Sequence, residues 1–269
     1  MRGLAQLFII ILAGGMAVRA ADENHVQWAS LLRQSGMFLG VQHGFRFATE
    51  PGTRAGVRGP FFRGWYDSVA NVHGWSDGDP FLVNYIGHPM QGSVASYIWI
   101  QNDPKYRNAQ FGRSSLYWKS RLRATAFSWA YSTQFELGPL SEASLGKVQS
   151  FYPAQGLVDH VITPAAGLLW TVGEDAIDRE IIQRLEDRIS SPFARALIRS
   201  GLNPSRSFAN ALRFKVPWHR DTRGWRVAYR RSEERLPEMQ THDNGRPGRD
   251  RPDPACRALG RPRAFSLPH

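Results

Sequence analysis

The chain has 269 residues, a formal net charge of +11 and a single cysteine, Cys256. One cysteine excludes an internal disulfide and a cysteine-built metal cage, and a body of roughly 200 residues buries an adequate core without either. Lysine occurs only as Lys105, Lys119, Lys147 and Lys215, so the charge is arginine charge, concentrated toward the carboxyl end rather than in a basic patch suited to nucleic acid.

The first element is a secretory signal. Met1-Arg2 supplies a positive start, Leu4 to Met16 is uncharged and apolar, and Val18-Arg19-Ala20 has small residues where a signal peptidase reads. Residues 1–20 are therefore expected to be removed, leaving a mature chain that begins Ala21-Asp22-Glu23. The apolar run is short for a bilayer core of about 30 Å. Export to the periplasm or the membrane periphery is the expected location.

Residues 28–218 read as one mainly α-helical domain built from packed, aromatic-rich helices. Phe38 to Arg46 is a weaker helix or a loop. Asp79-Pro80 is expected to cap a short helix ending at Gly87, and His88-Pro89 to shape a tight turn. Gly92 to Gln101 lacks strict alternation and reads as helix. Ser114 to Leu137 is a long helix stopped by Gly138-Pro139 and loaded with Tyr117, Trp118, Phe127, Trp129, Tyr131 and Phe135. Thr163-Pro164, Ser191-Pro192 and Asn203-Pro204 each place a capping side chain before proline, which has no N–H to lose at a first helical position. The first of these should open a helix from Pro164 to about Ile189, with an apolar stripe at Leu169, Val172, Ile177, Ile181, Leu185 and Ile189. That stripe needs a partner, and the aromatic helix is the expected one. The second runs from Pro192 to Ser200 and stops at Gly201; the third runs from Pro204 to about Phe214. No strand run and no internal repeat is present. Residues 219–269, rich in arginine and proline, lack apolar periodicity and read as a disordered tail.

No mature segment has about 18 uncharged apolar residues. Tryptophan and tyrosine beside Arg113, Lys119, Arg121 and Arg123 suit a membrane interface, although the same residues would serve a soluble core. The expected partners are a membrane surface or an envelope protein, and no nucleic acid.

Candidate chemistry lies between Trp75 and Arg179. His88, Glu136 and Asp159 are the candidate catalytic group, with Asn84, Ser93, His160 and Glu174 as candidate ligand-binding residues. A carboxylate at a helix C-terminus, as at Glu136, opposes the helix dipole and calls for a specific partner. Imidazole and carboxylate are suitable donors for zinc or a similar ion, but no H-E-x-x-H is present and the residues name no metal or cofactor. Asp77-Gly78-Asp79 is a fragment of a calcium loop without the rest of it, or a turn followed by a helix cap. Glu174 and Asp178 lie four apart on one helix and repel unless a cation or proton intervenes, whereas Asp175 and Arg179 could pair. Two functions stay open: a membrane-peripheral scaffold or binding module, in which these residues form a buried polar network that fixes helix register or bind a ligand, or an envelope hydrolase or metal-dependent enzyme that uses them as a metal or acid–base site.

The order Asn84…His88-Pro89-x-x-Gly92-Ser93, Ser132…Glu136, Asp159…Thr163-Pro164-x-x-Gly167 and Glu174 resembles a group of exported bacterial cell-envelope proteins of unknown function. The resemblance spans residues 77–179. It implies a helical protein of the cell envelope and brings no reaction, cofactor or catalytic residue.

Overall fold

The computed structural model describes residues 25–58, 60–146 and 156–224. The expected signal sequence, Cys256 and the chain beyond Gly224 lie outside the described residues. The described part is mainly α, with no extended strand among those residues. Its helices are α1 (Trp28–Thr49), α2 (Pro51–Gly56), α3 (Phe61–Ala70), α4 (His88–Asn102), α5 (Ser115–Leu137), α6 (Val158–Ile177), α7 (Gln183–Arg188), α8 (Pro192–Leu202) and α9 (Pro204–Leu212). Among them no helix is long and apolar enough to cross a membrane.

Helix α4 is the axis of the fold. From Gly92 to Asn102 every residue is buried, as expected of a helix enclosed on all sides. Helices α1, α5, α6 and α9 surround it. Val94, Ala95, Ile98, Trp99 and Ile100 meet Leu31 and Phe38 of α1, Ala124 and Tyr131 of α5, and Ala209 and Leu212 of α9. Phe38 and Tyr131 stack at 5.3 Å between ring centroids, and Trp28 meets Trp99 edge-on at 5.9 Å, both favourable aromatic geometries.

Helices α4 and α6 cross in backbone contact. A Cβ on Gly92 would stand 2.0 Å from the Thr163 carbonyl oxygen, and one on Gly167 would stand 3.0 Å from the Gly92 backbone. Only glycine fits at Gly92, and a side chain at Gly167 would press on the facing backbone. Ser128 of α5 donates to the Gly92 carbonyl at 3.0 Å, fastening the third helix to the same crossing. The tightest partner of α6 is thus α4, not the aromatic helix alone, although α5 packs against α6 as well. Gly173, the other small residue expected at a crossing, has nothing within 4 Å.

Several boundaries differ from expectation for identifiable reasons. Helix α6 starts at Val158, six residues before Pro164. The backbone carbonyls of Gly74 and Trp75 accept the N–H groups of Leu157 and Val158 at 3.0 and 3.1 Å. A neighbouring loop therefore caps the helix, satisfying donors that the Thr163 hydroxyl was expected to satisfy. Pro164 sits inside the helix. His88-Pro89 is not a turn. Residues Val83–Gly87 form a wide π-type turn that runs directly into α4, and the His88 N–H donates to the Val83 carbonyl five residues back. Pro89 has no N–H to offer the preceding turn, and one wide turn absorbs the defect while re-aiming His88. A second wide turn, Asp178–Ile182, joins α6 to α7. Phe38 to Arg46 belongs to the 22-residue α1, and α8 runs through Gly201 to Leu202.

Two further differences concern surfaces. The apolar stripe from Leu169 to Ile189 faces inward only in part: Leu169 is 72% exposed and Ile181 47%, Val172, Ile177, Leu185 and Ile189 are half-buried, and only the flanking Ile182 is buried. The buried side is Thr163, Gly167, Thr171, Glu174 and Asp175, because backbone-close packing on α4 admits small side chains and paired polar ones. The domain also does not stop at Trp218. Arg220 is buried, its Nε donating to Asp178 Oδ1 at 2.8 Å, and Arg223 donates to the Asp178 and Glu186 carboxylates.

Candidate functional site: a buried carboxyl and histidine centre

Three of the sequence candidates meet. One donor atom each of His88, Glu136 and Asp159 lies within 4.8 Å of the others, and all three residues are buried, Glu136 to 1% exposure. They come from the start of α4, the last turn of α5 and the first turn of α6. The wide turn before α4 delivers His88. The Gly92–Gly167 crossing sets how closely α4 and α6 approach, and the loop cap on α6 places Asp159.

That same loop brings a fourth group. Residues 74–75 hold the N-terminus of α6, so Asp77 follows within reach of Asp159, and the two carboxyls interact, lowering Asp77 and raising Asp159. Asp77 Oδ1 also accepts from Asn84 Nδ2 at 2.8 Å and from the Asp79 N–H at 2.9 Å. These bonds hold the Asp77 carboxyl below its ordinary value although burial opposes them.

The centre is short of cations. Burial pushes the Glu136 carboxyl well up, with the Asp77 and Asp79 charges adding to it and Arg46 opposing. Burial and the neighbouring Glu136, Asp77 and Asp79 push Asp159 up further. Arg46, the cation that opposes them, is itself engaged by Glu142 and by Glu50, the latter at 2.8 Å. Burial lowers His88 to about 4. His88 Nε2 stands 3.5 Å from Asp159 Oδ1, but with a neutral imidazole and a protonated carboxyl this contact is not an ion pair at neutral pH. His88 Nδ1, on the other side of the ring, makes no hydrogen bond. The arrangement therefore has a carboxyl excess that must be balanced by protons or by a bound cation.

The donor set suits a divalent ion. One imidazole and two carboxylates are ligands for zinc and similar metals. Ligands bound to zinc at about 2.0–2.1 Å stand about 3.3 Å apart, close to the 3.5 Å between His88 Nε2 and Asp159 Oδ1. Three protein ligands leave a position for water, the pattern of a hydrolytic rather than a closed structural site.

The other candidates are elsewhere. Asn84 joins the centre through Asp77. Ser93 faces Thr171, whose hydroxyl donates to Ser93 Oγ at 3.0 Å in the α4–α6 contact. Both ring nitrogens of His160 are buried and without hydrogen bonds, and burial lowers its pKa. Glu174 is a cap: its carboxylate accepts the backbone N–H groups of Ser205 and Arg206, at 2.9 and 3.1 Å, at the N-terminus of α9, where negative charge is favoured. It also accepts from Trp170 Nε1 at 3.0 Å. Asp175 does not pair with Arg179; it takes Arg121 Nε at 2.8 Å, the Tyr117 hydroxyl at 2.9 Å, and Arg206.

Sequence reasoning missed Asp77 and Arg46 as members of the centre. The Asp77-Gly78-Asp79 triplet was the available signal for the first, but its register against Asp159 depends on the loop that caps α6. Arg46 carries no local signal at all. In comparisons with protein families, curated proteins and solved structures, the chain matches none of them.

Proposed function

We propose that this chain is an exported helical protein of the cell envelope that binds a divalent metal ion through His88, Glu136 and Asp159 and uses it for hydrolysis. The observation that carries the reading is the meeting, inside the protein, of three donor residues from three helices, with more carboxyls than cations around them. A bound ion would replace the protons on Glu136 and Asp159 and polarise a water in the remaining position. Asp77, beside Asp159 and oriented by Asn84, would hold that ligand in place, as outer carboxylates do around metal sites.

The test is thermal unfolding of chelator-treated protein with and without zinc or manganese. Saturation at about a hundred times Kd should raise stability by about 2.7 kcal/mol. Glu136→Gln and Asp159→Asn should fold and lose that gain. An equal gain in both variants would remove the proposal.

A second reading concerns location. The outward side of α6 shows Val161, Ala165 and Leu169, and that of α5 shows Leu122 and Trp129, with Arg123 nearby. We propose that this apolar side lies against a membrane surface or an envelope partner, which is compatible with a metal centre. Flotation with anionic vesicles tests it: protein that stays at the bottom at low salt would count against it.

A further inference from the structure

At the other end of α6 the polar interior has the opposite composition. A cavity opens between α4, α6, α9 and the segment after Pro217, beside the loop that follows α4. It encloses about 50 Å³; one water needs on the order of 10–15 Å³ on the same measure, so the space takes roughly four oxygen-sized atoms. Six arginines line it against three aspartates, Asp175, Asp178 and Asp221.

The aspartates are already committed. Asp175 holds Arg121 and Arg206. Asp178 holds Arg220 at 2.8 Å, with Arg206 at 3.5 Å and Arg223 at 2.6 Å. Asp221 takes both terminal nitrogens of Arg213, at 3.1 and 2.8 Å. Arg107 and Arg179 remain. Arg107 Nε is buried and makes no hydrogen bond. Arg179 donates to the Phe111 carbonyl and stands 3.5 Å from the exposed Glu180. The crowding is felt by Arg220, which burial and the Arg206 and Arg223 charges lower to about 10.

We infer that this cavity binds a phosphate-class dianion, either free phosphate or the phosphate of a lipid headgroup, with Arg107 and Arg179 as its outer clamp. Guanidinium groups pair with phosphate oxygens through two parallel N–H donors, and a tetrahedral oxyanion has the size of the space. The buried Arg121, Arg206 and Arg220 supply the field, and their aspartates hold them in position. This site is independent of the His88 centre.

The experiment is isothermal titration of the full chain with inorganic phosphate, together with flotation on vesicles containing phosphatidic acid. The expected result is saturable binding with one phosphate per chain, weakened about tenfold or more in Arg107→Glu with an unchanged helical circular dichroism spectrum. Arg179→Gln, at a more exposed position, should weaken it in the same direction and guards against a folding failure at Arg107. Vesicle binding that depends on Arg107 without measurable free-phosphate binding assigns the site to a headgroup; competition by free phosphate assigns it to the soluble anion. Binding of neither, or binding unaffected by both substitutions, overturns the inference.

Discussion

The two ends of α6 solve the same problem in opposite ways. At its first turn, Asp159 meets Glu136 and Asp77 with His88 neutral and Arg46 already engaged. At its last turn, Asp175 and Asp178 sit among Arg121, Arg206, Arg220 and Arg223. Burial acts on all of these carboxyls, but the neighbours decide the outcome: Asp159 is pushed far above its ordinary value, and Asp178 is held far below it by Arg223, Arg206 and Arg220. A buried charge is retained only where its partner is present. At the arginine end each aspartate has its guanidinium partners. The carboxyl end is complete only with protons or a cation.

The same substitution at the two ends should therefore have opposite effects. Asp178→Asn leaves buried arginines without their counter-charge and should cost about 3–5 kcal/mol in urea unfolding. A loss under 1 kcal/mol would mean that the arginines, not the aspartate, hold that end together. Next in size is Gly92→Ala. Its methyl would meet the Thr163 carbonyl at the crossing that positions both ends, and overpacking of this kind costs about 2–3 kcal/mol. Unchanged stability would show that α4 and α6 can separate without penalty.

Glu136→Gln should go the other way. Glu136 has an ordinary value of 4.5 and a raised value in the folded protein, so between these values the native state binds more protons than the unfolded chain. Metal-free stability then falls as pH rises from about 4.5 through the raised value. Glutamine abolishes this dependence and should make the metal-free protein more stable at pH 8, on the order of 1–3 kcal/mol. Asp178 has the opposite sign: its contribution is present above the ordinary value of 3.8 and is lost as pH falls toward its depressed value. Urea midpoints from pH 3 to pH 9 separate the two. The smallest effect belongs to the outer face. Leu169→Ser, at a 72% exposed position, should change stability by less than about 0.5 kcal/mol while reducing binding to vesicles. A large loss of stability would show that Leu169 is covered.

The helical class and the centre's three main residues were legible because helix caps, stops and unusual carboxylates leave local marks. Ser114 caps α5 as its position suggests, and a buried glutamate ending an aromatic helix announces an unusual environment. The start of α6 was not legible, since its cap is the carbonyl pair of Gly74 and Trp75, more than eighty residues earlier in the chain. The inward face of α6 was misassigned for a related reason. Periodicity locates an apolar stripe, but the Gly92–Gly167 contact turns the helix so that small and paired polar side chains face in. The arginine network was hidden because Arg121, Arg206 and the Arg220–Arg223 pair come from three distant places in the chain, the last beyond the expected end of the domain.

The most direct test of the carboxyl centre counts protons. Zinc is titrated into metal-free protein at pH 7 in buffers of different ionisation enthalpy, and the heats give the protons released on binding. The displacement of protons from Glu136 and Asp159 predicts release of about two per ion, with no binding heat in Glu136→Gln, which lacks a ligand. Binding that releases no protons, or the same number in the variant, would contradict the assignment of the metal to these residues.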